Sequence, residues 1–120
     1  MTLSVPQEVQ AIVDALDDKK AREITVLDLQ DVSETLDYFI IATGDSSVQL
    51  NALEDSVREK LKGQLTLKGV EGPSARWLLV DYGYIVIHLM SQDARSFYDL
   101  EGLWADAVKL EVLPNWGVAS

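Results

Sequence analysis

Residues 77–104 read WLLVDYGYIVIHLMSQDARSFYDLEGLW, and their pattern decides the fold class. Two apolar, β-rich runs, 77–81 and 84–90, flank Asp81-Tyr82-Gly83. A tight glycine-containing link between such runs predicts an antiparallel hairpin. Alternation along the strands puts His88 on the face of Tyr84, Val86 and Met90, and puts Trp77 and Tyr82 on opposite faces. Beyond the hairpin, Asp93 is placed to cap a short helix through residue 98, and 100–108 reads as a further helical stretch.

Upstream, residues 38–43 (YFIIAT) form an unbroken apolar run, the signature of a strand buried on both faces. Gly44 ends it. Ser46 then opens a helix to about residue 62, with Gln49 at capping-box spacing and Leu50, Leu53, Val57 and Leu61 along one face. Residues 24–29 predict a shorter strand, followed by a polar loop at 30–35. Val9, Ile12, Val13 and Leu16 have the i, i+3, i+4, i+7 spacing of an amphipathic helix over about 5–20, with Ser4 and Gln7 as a capping box. Gly69, Gly72 and Pro73 predict an irregular 64–74. Residues 1–112 then make one domain, and 113–120 a loose tail that Trp116 is able to pin. The order α-β-β-α-β-β-α-α predicts an α/β fold, a mixed β-sheet with flanking helices.

The chain of 120 residues contains no cysteine, which excludes disulfide scaffolds, cysteine zinc sites and thiol catalysis. No run reaches the roughly 18 apolar residues of a membrane span. The start, MTLSVPQEVQ, has neither a secretory nor a transit pattern, so the expected location is the cytoplasm and no membrane partner is expected. Twenty acidic and ten basic residues give a net charge of −10, spread over both halves. Such a field repels phosphate backbones, which argues against direct nucleic-acid binding, and attracts basic proteins. It also keeps a protein soluble, whatever its partner.

Catalytic constellations are weak. Gly44-Asp45-Ser46-Ser47 sits at a strand-to-helix junction resembling the triphosphate turn of nucleotidyltransferases. Those enzymes also need two alternating carboxylates for two metals. Here Glu54 and Asp55 are adjacent on a helix, and Asp81 stands alone. A capped structural junction fits better than a phosphate site. His88, the only histidine, lacks a base partner in sequence and reads as a hydrogen-bonded structural residue. Asp28, Asp31, Glu34 and Asp37 lack the spacing of a calcium loop. We therefore expect no catalytic residue, metal or cofactor. The aromatic set Trp77, Tyr82, Tyr84, Phe97, Tyr98 and Trp104 suits a protein interface or a core. Phe97 and Trp104 are expected to be mostly buried, while Arg76, Asp81 and Arg95 offer a polar rim. The candidate partner-binding set is Arg76, Trp77, Asp81, Tyr82, Tyr84, Arg95 and Tyr98.

Several motifs in order resemble the Iojap family, also called ribosomal silencing factor or RsfS. They are Asp37-Tyr38-Phe39-Ile40-Ile41-Ala42-Thr43-Gly44 with Ser46, then Glu71-Gly72, Trp77, Asp81-Tyr82-Gly83, the strand ending in His88, and Arg95-x-x-Tyr98-x-Leu100-Glu101-x-Leu103-Trp104. The resemblance spans about residues 5–108, and Lys20 to Leu29 resembles the family's first strand and its approach. It implies a nucleotidyltransferase-like fold without the catalytic carboxylates. It also implies binding to a large-subunit ribosomal protein, the fourteenth in the standard series, a steric block to small-subunit joining, and repression of translation. Large-subunit assembly is the role of organellar relatives, homodimers are frequent, and a residual nucleotidyltransferase using Gly44, Ser46 and Asp81 is the remaining alternative. Where the family usually reads Asp-Tyr-Gly-Asp, this chain has Tyr84 in place of the second aspartate.

Overall fold

Residues 5–112 of the computed structural model are described. In chain order they form α1 (Gln7–Asp18), β1 (Arg22–Asp28), β2 (Tyr38–Thr43), α2 (Ser47–Leu61), β3 (Gly69–Ser74), β4 (Trp77–Asp81), β5 (Ile85–Met90), α3 (Gln92–Tyr98), α4 (Leu100–Leu103) and β6 (Val108–Leu110). The strands make a single mixed sheet of order β3-β4-β5-β2-β1-β6. β2 and β5 pair in parallel at its centre, and every other neighbouring pair is antiparallel. The α/β reading with flanking helices is thus borne out.

Strand alternation splits the core in two. Val26, Ile40, Ala42, Val80, Ile85, Ile87 and Leu89 face α1 and α2, which contribute Val9, Ile12, Leu16, Leu50, Leu53, Val57 and Leu61. The opposite face carries Leu27, Phe39, Ile41, Val86 and Met90. The short α3 and α4 cover that side through Ala94, Leu100 and Trp104, with Leu36 and Ala107 of the adjoining loops. Every residue of β2 and β5 is buried, as expected of central strands with a layer on each face. On β4 the two faces differ: Val80 is fully buried against the helices, while Trp77 and Leu79 on the other side are partly covered.

The Ser46 cap of α2 is as read from sequence, while the reciprocal bond of the box goes to Asp45 instead of Ser46. Ser46 Oγ accepts from the Gln49 N–H at 3.1 Å, and Gln49 Oε1 accepts from the Asp45 N–H at 2.6 Å. α3 starts two positions earlier than expected, because Ser91, not Asp93, is its N-cap and accepts through Oγ from the Ala94 N–H. α1 begins after Pro6 without a side-chain cap; Ser4 lies outside the described residues, as do 113–120 with Trp116.

Two segments correct the sequence reading. Residues 69–74 form β3, an edge strand against β4 with a register shift between Glu71 and Ser74. Glycine and proline disfavour a strand interior, but an edge strand with a bulge tolerates both. The stretch 100–108 is not one helix. Asp99 takes a left-handed conformation (φ +46°) between α3 and α4 and caps the latter through Gly102 N–H. The chain then turns after Trp104 and pairs β6 with β1. No helix among the described residues is long and apolar enough to cross a membrane.

Candidate partner-binding face

The α3/α4 side of the sheet carries a connected run of rings. Trp77 faces Met90 across the β4–β5 ladder and Leu79 faces His88, so Trp77 and His88 are diagonal neighbours on one face. The Trp77 indole N–H donates to His88 Nδ1 at 3.1 Å. Burial pulls the His88 pKa down from 6.5 to about 4, so the ring is neutral at pH 7. With Nδ1 accepting, its proton sits on Nε2, which is buried without a hydrogen-bond partner.

Tyr98 packs against Trp77 at 4.6 Å between centroids with the rings tilted by 47°, and Phe97 meets Tyr98 edge-on at 5.0 Å. At the inner end Phe39 contacts His88 at 4.6 Å and Trp104 at 5.6 Å, both edge-to-face. Such pairs add about 0.5–1.5 kcal/mol each beyond burial. The run passes from core to solvent: Phe39 is 7% exposed, Tyr98 42% and Phe97 80%. Leu103 of α4 is also largely exposed. Large apolar side chains are thus left open beside a packed aromatic cluster.

Comparison with known proteins agrees in family. The sequence profile described as "RsfS: Ribosomal silencing factor during starvation" matches residues 2–117. The chain belongs to the RsfS family. It is 36% identical to a ribosomal silencing factor RsfS of Halalkalibacterium halodurans over 92% of this chain and 96% of that protein. A Chromobacterium violaceum protein of known crystal structure superposes with a TM-score of 0.79 at 37% identity, covering 86% of this chain and 88% of that one. A mouse protein named "Mitochondrial assembly of ribosomal large subunit protein 1" is 34% identical over 81% of this chain, which spans 45% of the mouse protein.

Within this RsfS fold the seven candidate residues separate into distinct places. Trp77 and Tyr98 pack together. Beside Trp77, Arg76 pairs with Asp93 at 3.3 Å across exposed surface. Asp81, Tyr82 and Tyr84 sit at the other end of the hairpin. The Asp81 carboxylate accepts from the Gly83 N–H at 2.7 Å and shapes the turn, where Gly83 has φ +93°. Tyr82 is 4% exposed and joins the core on the α1/α2 face; burial pushes its phenol pKa up. Tyr84 is partly exposed. Burial raises its pKa, with the charges of Glu8 and Asp37 adding to the rise.

Arg95 is a correction: it is no rim residue. It is 7% exposed, and its Nε donates to Glu101 Oε1 at 3.0 Å. Its Nη1 reaches the Glu23 carbonyl at 2.6 Å and Thr43 Oγ1 at 2.9 Å, and Nη2 reaches Thr25 Oγ1 at 2.7 Å. The guanidinium therefore ties α3 and α4 to β1 and β2. Hydrogen bonding to Arg95 holds the Glu101 carboxyl below its ordinary value, against burial.

Phe97, expected to be buried, is exposed for the same reason. On the short α3 the inward positions are taken by Ala94 and Arg95, and Tyr98 lies between them on the helical wheel. Phe97 is rotated to the flank. Phe97 and Leu103 are the interface candidates missed in sequence. Trp104 is partly buried, as a packing partner of Phe39.

The residues of a nucleotidyltransferase reading do not converge. Gly44 and Ser46 follow the end of β2, level with Met90 and hence with Trp77. Asp81 lies at the opposite end of β4. Around Gly44 the two arginines are already engaged, Arg22 with Asp45 and Arg76 with Asp93. Among the described residues no three His, Asp or Glu side chains are grouped as metal ligands would be.

Proposed function

We propose that this chain is a non-catalytic, cytoplasmic silencing factor. In this reading it binds the fourteenth large-subunit ribosomal protein, blocks small-subunit joining by bulk, and so represses translation. The observation that carries the reading is the open end of the ring run, Phe97–Tyr98–Trp77, on a member of the RsfS family. The −10 charge supports a basic partner, because electrostatic complementarity raises the encounter rate while buried anchors set the residence time. Residues 1–112 act as one domain on a nucleotidyltransferase-like scaffold without catalytic carboxylates. A homodimer is compatible with the action, since one free face per copy is enough.

Of the seven candidates, Trp77, Tyr98 and Arg76 stay in the proposed contact surface, and Phe97 and Leu103 join it. Tyr84 and Asp81 form a separate, secondary contact in which Tyr84 replaces a charge by a ring. Arg95 and Tyr82 act from inside. Trp77→Ala is expected to weaken binding to purified large subunits by about 2 kcal/mol, and Phe97→Ala by about 1 kcal/mol. Wild-type affinity in both variants removes this face from the role. For the action itself, saturating protein is expected to shift sedimentation profiles from joined ribosomes toward free subunits. Unchanged profiles defeat the model.

The name of the mouse relative favours a second reading, large-subunit assembly on the same partner. Immature large subunits in a deletion strain that survives starvation normally would select it.

A further inference from the structure

We infer that His88 is a positioning residue for partner binding, acting through the Trp77 indole. The inference rests on the reading of Trp77 as an anchor and names what holds that anchor in place. A tryptophan on a partly covered strand face has rotamers to lose when it is captured, and that ordering weakens association. Here the loss is met during folding. The Trp77 N–H is held by His88 Nδ1 at 3.1 Å, and His88 is only 4% exposed, in a central strand. Phe39 fixes the imidazole plane from one side at 4.6 Å. Tyr98 packs against the indole at 4.6 Å between centroids, tilted by 47°. The indole is thus tied at its nitrogen and packed against Tyr98, and is oriented before any partner arrives.

The Nε2 of the same ring is informative. It is the only buried side-chain polar atom among the described residues that lacks a partner. A hydrophobic side chain of similar size would avoid that desolvation loss. A histidine gives one return an apolar ring does not, an acceptor for the indole N–H. Holding Trp77 therefore accounts for a polar ring that the core alone would not favour.

The test compares five variants for affinity to purified large ribosomal subunits, with unfolding free energy measured in parallel. Indole N–H exchange is followed by NMR, the Trp77 signal being assigned by its loss in Trp77→Phe. His88→Phe removes the acceptor, and His88→Gln restores one on a flexible arm. We expect His88→Phe to bind about fivefold more weakly and its Trp77 N–H to exchange rapidly. His88→Gln should recover most of both. In the Trp77→Phe background, which has no N–H to hold, His88→Phe should add no further loss in affinity. Wild-type affinity for His88→Phe, or losses that simply add in the double variant, overturns the inference. Should His88→Phe fail to fold, Trp77→Phe carries the test alone: it lacks the donor, and wild-type affinity there overturns the inference equally. Failure of the anchor reading itself looks different, since Trp77→Ala would then bind as wild type while in the wild-type protein the Trp77 N–H remained protected.

Discussion

Replacing Arg95 by leucine is expected to lower the unfolding free energy by about 3–5 kcal/mol, the range for breaking a buried charge network by removing one member. The substitution leaves the Glu101 carboxylate, the Thr25 and Thr43 hydroxyls and the Glu23 carbonyl without the donors they have now. Glu23 also has a left-handed backbone, φ +52°, at the irregularity of β1 between Arg22 and Thr25. Its carbonyl is held there by Arg95 and accepts from Thr25 Oγ1 as well. Lysine should not rescue. Its ammonium has three donors on one atom, whereas these acceptors are spread around a planar fork. Urea unfolding decides the point. Arg95→Leu within about 1 kcal/mol of wild type, or full recovery with Arg95→Lys, would show that the network adds little. Because the same guanidinium carries α3 and α4, the Phe97–Tyr98 end of the ring run should loosen in this variant.

The second large effect is on acid stability. In the unfolded chain His88 takes up a proton near its ordinary 6.5, but in the fold burial delays this to about 4. The folded value is the lower one. Its contribution to stability is therefore complete above pH 6.5, falls as pH drops from 6.5 to 4, and levels off below 4. At about 1.36 kcal/mol per unit, the loss is about 3 kcal/mol. Protonation at Nδ1 would also set two donors against each other at the Trp77 indole. Glu101, whose pKa is depressed, loses stability in acid too, but it is present in any His88 variant and cancels in the difference. We expect wild type to lose about 3 kcal/mol more than His88→Gln between pH 7 and pH 4. Parallel stability curves for the two proteins would place the proton elsewhere.

Patterns that depend on burial alone were legible in the sequence. The unbroken run 38–43 correctly indicated a strand enclosed on both faces, and the leucine row of α2 indicated its inner side. Parity also held past a strand end: Trp77 and Tyr82 do lie on opposite faces. What could not be read were choices made by tertiary partners. β3 is a strand because the open edge of β4 supplies hydrogen bonds, in spite of Gly69, Gly72 and Pro73. β6 ends a segment with helical composition because β1 offers an edge and Asp99 breaks the helix. At the candidate site, Trp77 and Tyr98 are close only through the packing of α3 on the sheet. Arg95 looked like a surface charge because its acceptors on β1 and β2 are distant in sequence. Family resemblance supplied the ribosomal reading, which periodicity and charge alone did not reach.

The parallel pairing of β2 with β5 also sets an order of events during synthesis. The first hairpin, β1–β2, and the second, β4–β5, each join neighbours in sequence, whereas their seam must close a long loop. Such distant contacts form late. A nascent chain that has reached the end of α2 therefore carries a strand that is apolar on both sides and has one unpaired margin, a template for the wrong neighbour. A fragment cut after Leu61 should accumulate as aggregate rather than as monomer, because the C-terminal half is the piece that seals this margin.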